Sequence, residues 1–157
     1  MSSLARPCDA PQLMPMTVSS LTAVLAVEHQ AYEFPWTRGN FVDSLHAGYL
    51  ARLLYSADGV LLGYFVAMPG FEEMHLLNLT VAPAHQRRGH ALHLLDTLQG
   101  MARDSGARQL WLEVRVSNAR ARALYDRYGF RTVGQRKGYY PACEGRREDA
   151  IVMSLTL

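Results

Sequence analysis

The chain has 157 residues, 49% of them hydrophobic and 19% charged, and a formal net charge of +2 at pH 7. This length suffices for one domain with a sizeable core, and the composition is that of a globular protein rather than a disordered or fibrous one. No apolar run is long enough to span a bilayer, and the mild charge does not by itself indicate nucleic-acid binding.

The N-terminal segment predicts neither an export signal nor a disulfide framework. Residues 1–15 contain three prolines and no apolar core of a signal peptide. We therefore predict a tail at residues 1–15, with room for a lead-in strand at its end, one domain at residues 16–157 and a cytoplasmic location. Cys8 and Cys143 match no disulfide or metal spacing, so both thiols are expected to be reduced.

The first half of the domain is predicted to contain two helices followed by three antiparallel strands. Helical spacing of apolar residues predicts a helix over residues 18–31, and Thr37 can cap a second helix that runs to about residue 46. Ser56-Ala57-Asp58-Gly59 has the composition of a hairpin turn. The strands are predicted at residues 49–55, 60–68 and 73–81.

The segment after the third strand has the composition of a phosphate-binding loop. Gln86-Arg87-Arg88-Gly89 leads into a helix predicted over residues 88–105. Glycine allows close approach of the backbone to a ligand, and the start of a helix offers unpaired N–H groups and a positive dipole. The pattern favours a diphosphate site; the alternative is an ordinary strand-to-helix turn with surface arginines.

The second half is predicted as helix, strand, helix and two closing strands. The first helix places Leu92, Leu95, Leu98 and Met101 on one face and ends at Gly106. The remaining elements are a strand at 109–116, a helix at 118–128 ended by Gly129, and strands at 131–138 and 150–157 around a loop at 139–149. A meander followed by this order predicts an α/β fold in which a mixed sheet has helices on both faces.

Several motifs match one family. Gln86-x-x-Gly89-x-Ala91 is similar to the acyl-CoA loop of the GNAT acetyltransferases, written Q/R-x-x-G-x-G/A. The other matching segments are Phe34-Pro35-Trp36-Thr37, Leu110-Trp111-Leu112-Glu113-Val114-Arg115, Asn118 with Ala123-Leu124-Tyr125, Tyr139-Tyr140-Pro141 and Arg147-Glu148-Asp149-Ala150-Ile151-Val152-Met153. Together they resemble the bacterial ribosomal-protein-alanine N-acetyltransferase family from about residue 17 onward. His90 stands where members often have an aliphatic residue, and Ala91 where many have glycine.

The resemblance implies the GNAT fold, a mixed and mostly antiparallel sheet flanked by helices. It also implies acetyl-CoA as co-substrate and no metal; the histidines at 75, 85, 90 and 93 form no H-E-x-x-H pattern. Asn118 is an implied CoA contact, although it is equally suited to cap the helix that follows. The other implied CoA contacts are Leu79, Thr80, Val81, Arg87, Arg88, Gly89, His90, Ala91 and Leu92.

The resemblance also assigns the chemistry. Glu113 is implied as the base that deprotonates the acceptor amine, and Tyr125 as the acid that protonates the leaving thiolate. From the residues alone, Glu113 could equally be a surface residue of a strand and Tyr125 a core residue. The implied substrate-binding residues, for which packing is the alternative, are Phe34, Trp36, Tyr139 and Tyr140.

The function implied by the resemblance is acetyl transfer to the N-terminal alanine of a small-subunit ribosomal protein. The alternatives are acetylation of another protein N-terminus, a lysine or a small amine, and a non-catalytic acyl-CoA-binding module. The expected partner is a protein or peptide N-terminus, with no membrane and no direct nucleic-acid binding required. The clustered arginines between residues 115 and 147 are either a solvated face or a surface that meets phosphates.

Overall fold

The computed structural model describes residues 10–157, so Cys8 and residues 1–9 of the predicted tail lie outside the described part. This part contains four α-helices and a seven-stranded mixed sheet with strand order β1-β2-β3-β4-β5-β7-β6. The strands are β1 (Gln12–Pro15), β2 (Leu50–Tyr55), β3 (Leu61–Gly70), β4 (Glu73–Val81), β5 (Gln109–Arg115), β6 (Arg131–Pro141) and β7 (Arg147–Thr156). The helices are α1 (Leu21–Ala31), α2 (Arg38–His46), α3 (His90–Asp104) and α4 (Ala119–Tyr128). No helix in residues 10–157 is long and apolar enough to cross a membrane.

Helix boundaries follow from capping residues that the sequence displays. Thr37 caps α2, where its side chain accepts a hydrogen bond from the backbone N–H of Asn40. Asn118 caps α4 in the same way through Ala121. Gly129 ends α4 in the left-handed conformation, with φ of 117°. The predicted ends of α2 and α4 are therefore confirmed.

Among the described residues, the first compact unit consists of residues 10–66 and Asn78–Leu94. In it, β1 pairs antiparallel with β2, with Gln12 opposite Tyr55. Gly63 of β3 lies so close to β4 that an added Cβ would stand 2.5 Å from the Thr80 carbonyl oxygen, so only glycine fits there. The large side chains fully buried in this unit are Tyr64, Phe41, Phe65, Leu21, Leu53, Leu54 and Leu94.

The second compact unit consists of Ala67–Leu77 and Leu95–Leu157. In it, β5 pairs parallel with β4 and antiparallel with β7, and β7 pairs antiparallel with β6. Every second residue of β5 is buried, as the alternation in its sequence predicts. The large side chains fully buried in this unit are Phe130, Met74, Leu95, Leu98 and Leu110.

The loop predicted at residues 139–149 is wrong. Strand β6 continues to Pro141 and β7 begins at Arg147, because Tyr140 pairs with Glu148 and Pro141 with Arg147. A bulge between Arg136 and Tyr140 lets the strand resume pairing after the irregularity. The connection is therefore confined to residues 142–146, and the two predicted tyrosines lie on a strand.

Helix α3 also differs from the prediction. It begins at His90 rather than at residue 88, because Arg87 and Gly89 adopt positive φ angles of 64° and 84°. Its buried positions are Leu94, Leu95, Leu98 and Ala102, whereas Leu92 is exposed. At the N-terminal end of α3, the buried face therefore includes Leu94 instead of the predicted Leu92.

Candidate active site

In the first unit, the predicted phosphate-binding loop forms an open backbone turn. The Gln86 side chain donates a hydrogen bond to the Val81 carbonyl oxygen at 3.3 Å, which ties the loop to the end of β4. Gly89 has φ of 84° and its carbonyl accepts the N–H of His93, the first bond of the helical ladder. A Cβ built on Gly89 would meet nothing within 4 Å, so the space beside this backbone is open.

At the end of β4, polar side chains form hydrogen bonds with other groups of the protein. Thr80 is buried, and its hydroxyl donates to Asn78 at 2.7 Å. The Tyr32 hydroxyl lies 2.7 Å from the Thr80 hydroxyl and 3.2 Å from the Leu79 carbonyl oxygen. Since these side-chain atoms are engaged, a ligand that met this strand would meet its backbone.

A buried carboxylate on α1 fixes the segment that joins α1 to α2. Glu28 is 1% exposed and accepts hydrogen bonds from the Tyr64 hydroxyl at 2.6 Å, from Asn78 Nδ2 at 3.1 Å and from the backbone N–H of Trp36 at 3.0 Å. Burial and the Glu28 charge raise the pKa of Tyr64, which therefore stays protonated as a donor. The network holds the predicted substrate-binding segment in place.

The two aromatic residues of that segment have different environments. Trp36 packs against Phe41, with ring centroids 5.1 Å apart, and its backbone is held by Glu28. Phe34 is an exposed aromatic, with 38% of its surface accessible. Of the pair, Phe34 is the more exposed side chain.

In the second unit, Glu113 lies at the centre of a polar cluster. Its carboxylate Oε2 is 2.5 Å from His75 Nε2, and its Oε1 is 3.1 Å from Arg136 Nε. Only 5% of the Glu113 side chain is exposed, whereas Arg136 is half-exposed. The carboxylate is thus nearly removed from water, and each of its oxygens faces a side-chain nitrogen.

His75 is held from its other side by an aromatic ring. Its imidazole stacks on Trp111, with centroids 3.6 Å apart and planes inclined by 11°. His75 Nδ1 and Trp111 Nε1 are buried and have no hydrogen-bond partner within residues 10–157. Sequence reasoning missed His75 because it lies 38 residues from Glu113 and matches no motif.

Tyr139 belongs to the same cluster. The Arg136 guanidinium lies 5.7 Å from the centre of the Tyr139 ring. Burial and the Glu113 charge raise the pKa of Tyr139, while Arg136 acts in the opposite direction. The structure therefore brings the predicted substrate-binding Tyr139 into the electrostatic field of the predicted base.

Arg115 fixes the second tyrosine and the proline that follows. Its guanidinium lies 4.5 Å from the centre of the Tyr140 ring and donates to the Pro141 carbonyl oxygen at 2.8 Å. It also pairs with Glu148 at 3.1 Å. The Leu-Glu-Val-Arg and Tyr-Tyr-Pro segments, far apart in sequence, thus act on each other directly.

The acidic and basic residues at the start of β7 clamp the β6 bulge. Arg147 donates to the carbonyl oxygens of Gly138 and Tyr139, at 2.9 and 3.0 Å. Asp149 accepts the Gly138 N–H at 2.8 Å, and Gly138 itself has φ of 58°. These contacts set the backbone that carries Tyr139 and Tyr140.

The two predicted residues on and before α4 have defined packing. Tyr125 is 8% exposed and packs edge-to-face on Phe130, with centroids 5.5 Å apart. The Asn118 side chain accepts the Ala121 N–H at 3.2 Å, so its capping role is present. No group of three or more potential metal ligands occurs within residues 10–157.

Comparison with known proteins identifies the family. Residues 21–130 match the Acetyltransferase (GNAT) family. The chain belongs to the GNAT acetyltransferases. It is 38% identical to a [ribosomal protein bS18]-alanine N-acetyltransferase of Haemophilus ducreyi, over 83% of this chain and 90% of that protein. Its counterpart in Salmonella typhimurium is 37% identical over 90% of this chain and 95% of the relative.

Solved structures give the same result. The crystal structure of the ribosomal-protein-S18-alanine N-acetyltransferase from Escherichia coli superposes with a TM-score of 0.85 at 35% identity, covering 94% of each chain. The predicted GNAT fold and acetyltransferase activity are confirmed. GNAT enzymes use acetyl-CoA, and the loop of this GNAT chain fits its diphosphate: the space beside Gly89 is open, and Arg87 and Arg88 are exposed.

Proposed function

We propose that this GNAT enzyme is an acetyl-CoA-dependent Nα-acetyltransferase that acts on the N-terminal alanine of ribosomal protein bS18. The observation that carries the acceptor is the similarity to bS18-alanine N-acetyltransferases, which extends over 83–90% of this chain at 37–38% identity. A bS18 N-terminus as substrate would place the enzyme in the cytoplasm.

The donor half rests on the loop of the first unit. Backbone N–H groups at the start of α3, with the charges of Arg87 and Arg88, would bind the diphosphate. Leu79, Thr80 and Val81 would contribute backbone, since the Thr80 hydroxyl is committed to Asn78. His90, Ala91 and Leu92 form the first turn of α3 beside the diphosphate. Bound acetyl-CoA supplies the acetyl group as a thioester.

The acceptor half rests on the cluster of the second unit. An α-amino group has a pKa of about 8, so most of it is protonated at pH 7 and a base is needed. Glu113 is proposed as that base, because its carboxylate has lone pairs beyond those that meet His75 and Arg136. Tyr125 is proposed to donate its proton to the departing sulfur, and Asn118 to contact CoA in addition to capping α4.

Exposed aromatics are proposed to contact the acceptor peptide. Phe34 and Tyr139 are 38% and 42% exposed, respectively, and both sit on backbones fixed by buried or clamped residues. Trp36 and Tyr140 would support them, since Trp36 packs on Phe41 and Tyr140 under Arg115. A side chain that is already held in place loses little entropy on binding a flexible peptide.

The experiment offers the enzyme acetyl-CoA and two peptides, with the added acetyl group located by mass spectrometry. The first peptide has the bS18 N-terminal sequence. The second has the same sequence with a blocked N-terminus and an internal lysine. We expect acetylation of the first peptide at its α-amine and none of the second. Acetylation of the blocked peptide at lysine would overturn the Nα assignment. Binding of acetyl-CoA without transfer to any amine would favour a non-catalytic module.

A further inference from the structure

His75 contacts the proposed base more closely than any residue named by the sequence motifs. Its Nε2 is 2.5 Å from Glu113 Oε2, and the two side chains are 9% and 5% exposed. At this separation a hydrogen atom lies between the nitrogen and the oxygen, because two lone pairs would repel each other. The ring thus either donates from Nε2 or shares a proton with the carboxylate.

The surroundings of the ring select one tautomer. Nδ1 is buried and has no partner within residues 10–157, so no acceptor there stabilises a proton on that atom. A proton on Nε2, in contrast, is directed at the Glu113 carboxylate. The stack on Trp111 fixes the plane of the ring, and a half-turn of the imidazole within that plane would take Nε2 away from Glu113.

Arg136 completes the arrangement from the other oxygen. It donates to Oε1 at 3.1 Å but is half-exposed, so water competes for its guanidinium. The buried His75 contact is therefore the stronger constraint on the direction of the carboxylate. The charged and titratable groups that face this His75–Glu113 pair are Arg136 and Tyr139, both on β6.

We propose that His75 is a positioning residue, held as the neutral Nε2–H tautomer, that fixes the Glu113 carboxylate for proton abstraction. This inference rests on the proposed role of Glu113 as the base. No bond to His75 forms or breaks in the step: the ammonium N–H bond breaks, an O–H bond forms on Glu113, and the hydrogen bond from Nε2 persists.

The kinetic test compares two substitutions. His75→Leu removes the donor, and we expect kcat to fall on the order of ten- to a hundred-fold with KM changed less than threefold. His75→Gln restores an N–H donor near the position of Nε2. It should recover most of the lost kcat. His46→Gln, at an exposed position of α2, is the matched control and should leave kcat and KM unchanged.

A direct measurement separates this inference from the proposed function. Nitrogen-15 NMR of the resting protein reports which imidazole nitrogen carries the proton, with no acceptor present. A protonated Nε2 and bare Nδ1 at pH 8, altered in Glu113→Gln, support the proposal. A proton on Nδ1, a wild-type kcat for His75→Leu, or a kcat for His75→Gln no higher than that of His75→Leu would each overturn it. Failure of the wild type to acetylate any N-terminal peptide would instead overturn the proposed function.

Discussion

At the scale of single residues, the candidate site separates groups proposed to react from groups that hold them. Glu113 and Tyr125 are the proposed base and acid, and both are largely buried. His75 and Arg136 act on the carboxylate of Glu113, one from a buried position and one from a half-exposed position. Substitutions should therefore divide into those that remove a proton transfer and those that loosen its geometry.

Tyr125→Phe tests the proposed acid. The substitution keeps the ring and its edge-to-face contact with Phe130, so the fold should be preserved. Without the hydroxyl, the leaving thiolate has no proton donor. We expect kcat to fall on the order of a hundred- to ten-thousand-fold, the usual contribution of a general acid. Steady-state kinetics measures kcat, and calorimetry should show an unchanged affinity for acetyl-CoA. A variant that turns over at the wild-type rate would leave Tyr125 only a packing role.

At the scale of elements, charged side chains stabilise the β6–β7 hairpin in addition to its strand pairing. Arg115 of β5 pairs with Glu148, while Arg147 and Asp149 hold the backbone at Gly138. Glu148 also accepts the Ser117 N–H at 2.8 Å, just before α4. One carboxylate thus joins the end of β5 to the start of β7.

Glu148→Gln tests this junction through pH. Hydrogen bonds from Ser117, and then Arg115, lower the pKa of Glu148 below its ordinary value of 4.5. The unfolded chain therefore binds this proton more readily, so the stabilisation is present above about pH 4.5 and is lost as the pH falls through the native pKa.

The measurement is the thermal midpoint of both proteins between pH 3 and pH 7. We expect wild type to be slightly more stable at pH 6–7, because exposed ion pairs contribute little. The difference should shrink toward zero at pH 3. If the difference in thermal midpoint stays constant over this range, the charge of Glu148 does not contribute to stability.

Local pattern predicted the elements well, and long-range pairing explains what it missed. The Thr37 side chain caps the start of α2, and Gly129, which has no side chain, ends α4 in the left-handed conformation, so both boundaries can be predicted from the local sequence. The continuation of β6 to Pro141 depends instead on its pairing with Arg147 across a bulge, which no local window contains. The His75–Glu113 contact has the same origin, since parallel pairing of β4 with β5 sets these strands side by side.

At the scale of the whole molecule, binding of acetyl-CoA should appear as added stability. A ligand that binds only the native state stabilises it by about 2.7 kcal/mol at a hundred times its Kd. The loop that would bind the diphosphate depends on Gly89, whose φ of 84° and open surroundings suit close approach of a ligand. The increase in stability on binding of acetyl-CoA should therefore depend on the residue at position 89.

Gly89→Val tests that dependence against a matched control. Valine at positive φ is strained by roughly 1–3 kcal/mol and would also fill the ligand space. Gly48→Val introduces comparable strain, at φ of 78° with nothing within 4 Å, but lies directly after α2. Both variants should melt below wild type. Thermal midpoints with saturating acetyl-CoA should rise for Gly48→Val and stay unchanged for Gly89→Val. An equal rise in both would remove the loop from the binding site.

Strand β6 also bears on how copies of this protein behave in concentrated solution. It is the last strand of the sheet, so its outer edge leaves backbone groups available for pairing with another strand. Val133 is 63% exposed, yet Arg131, Arg136 and Lys137 are charged neighbours on the same strand, and two irregularities interrupt its register. Charge and bulges of this kind discourage edge-to-edge aggregation. Arg136, which contacts Glu113 in the candidate site, is thus also one of the charges that oppose aggregation of this edge, and this protection should weaken as salt screens the charges.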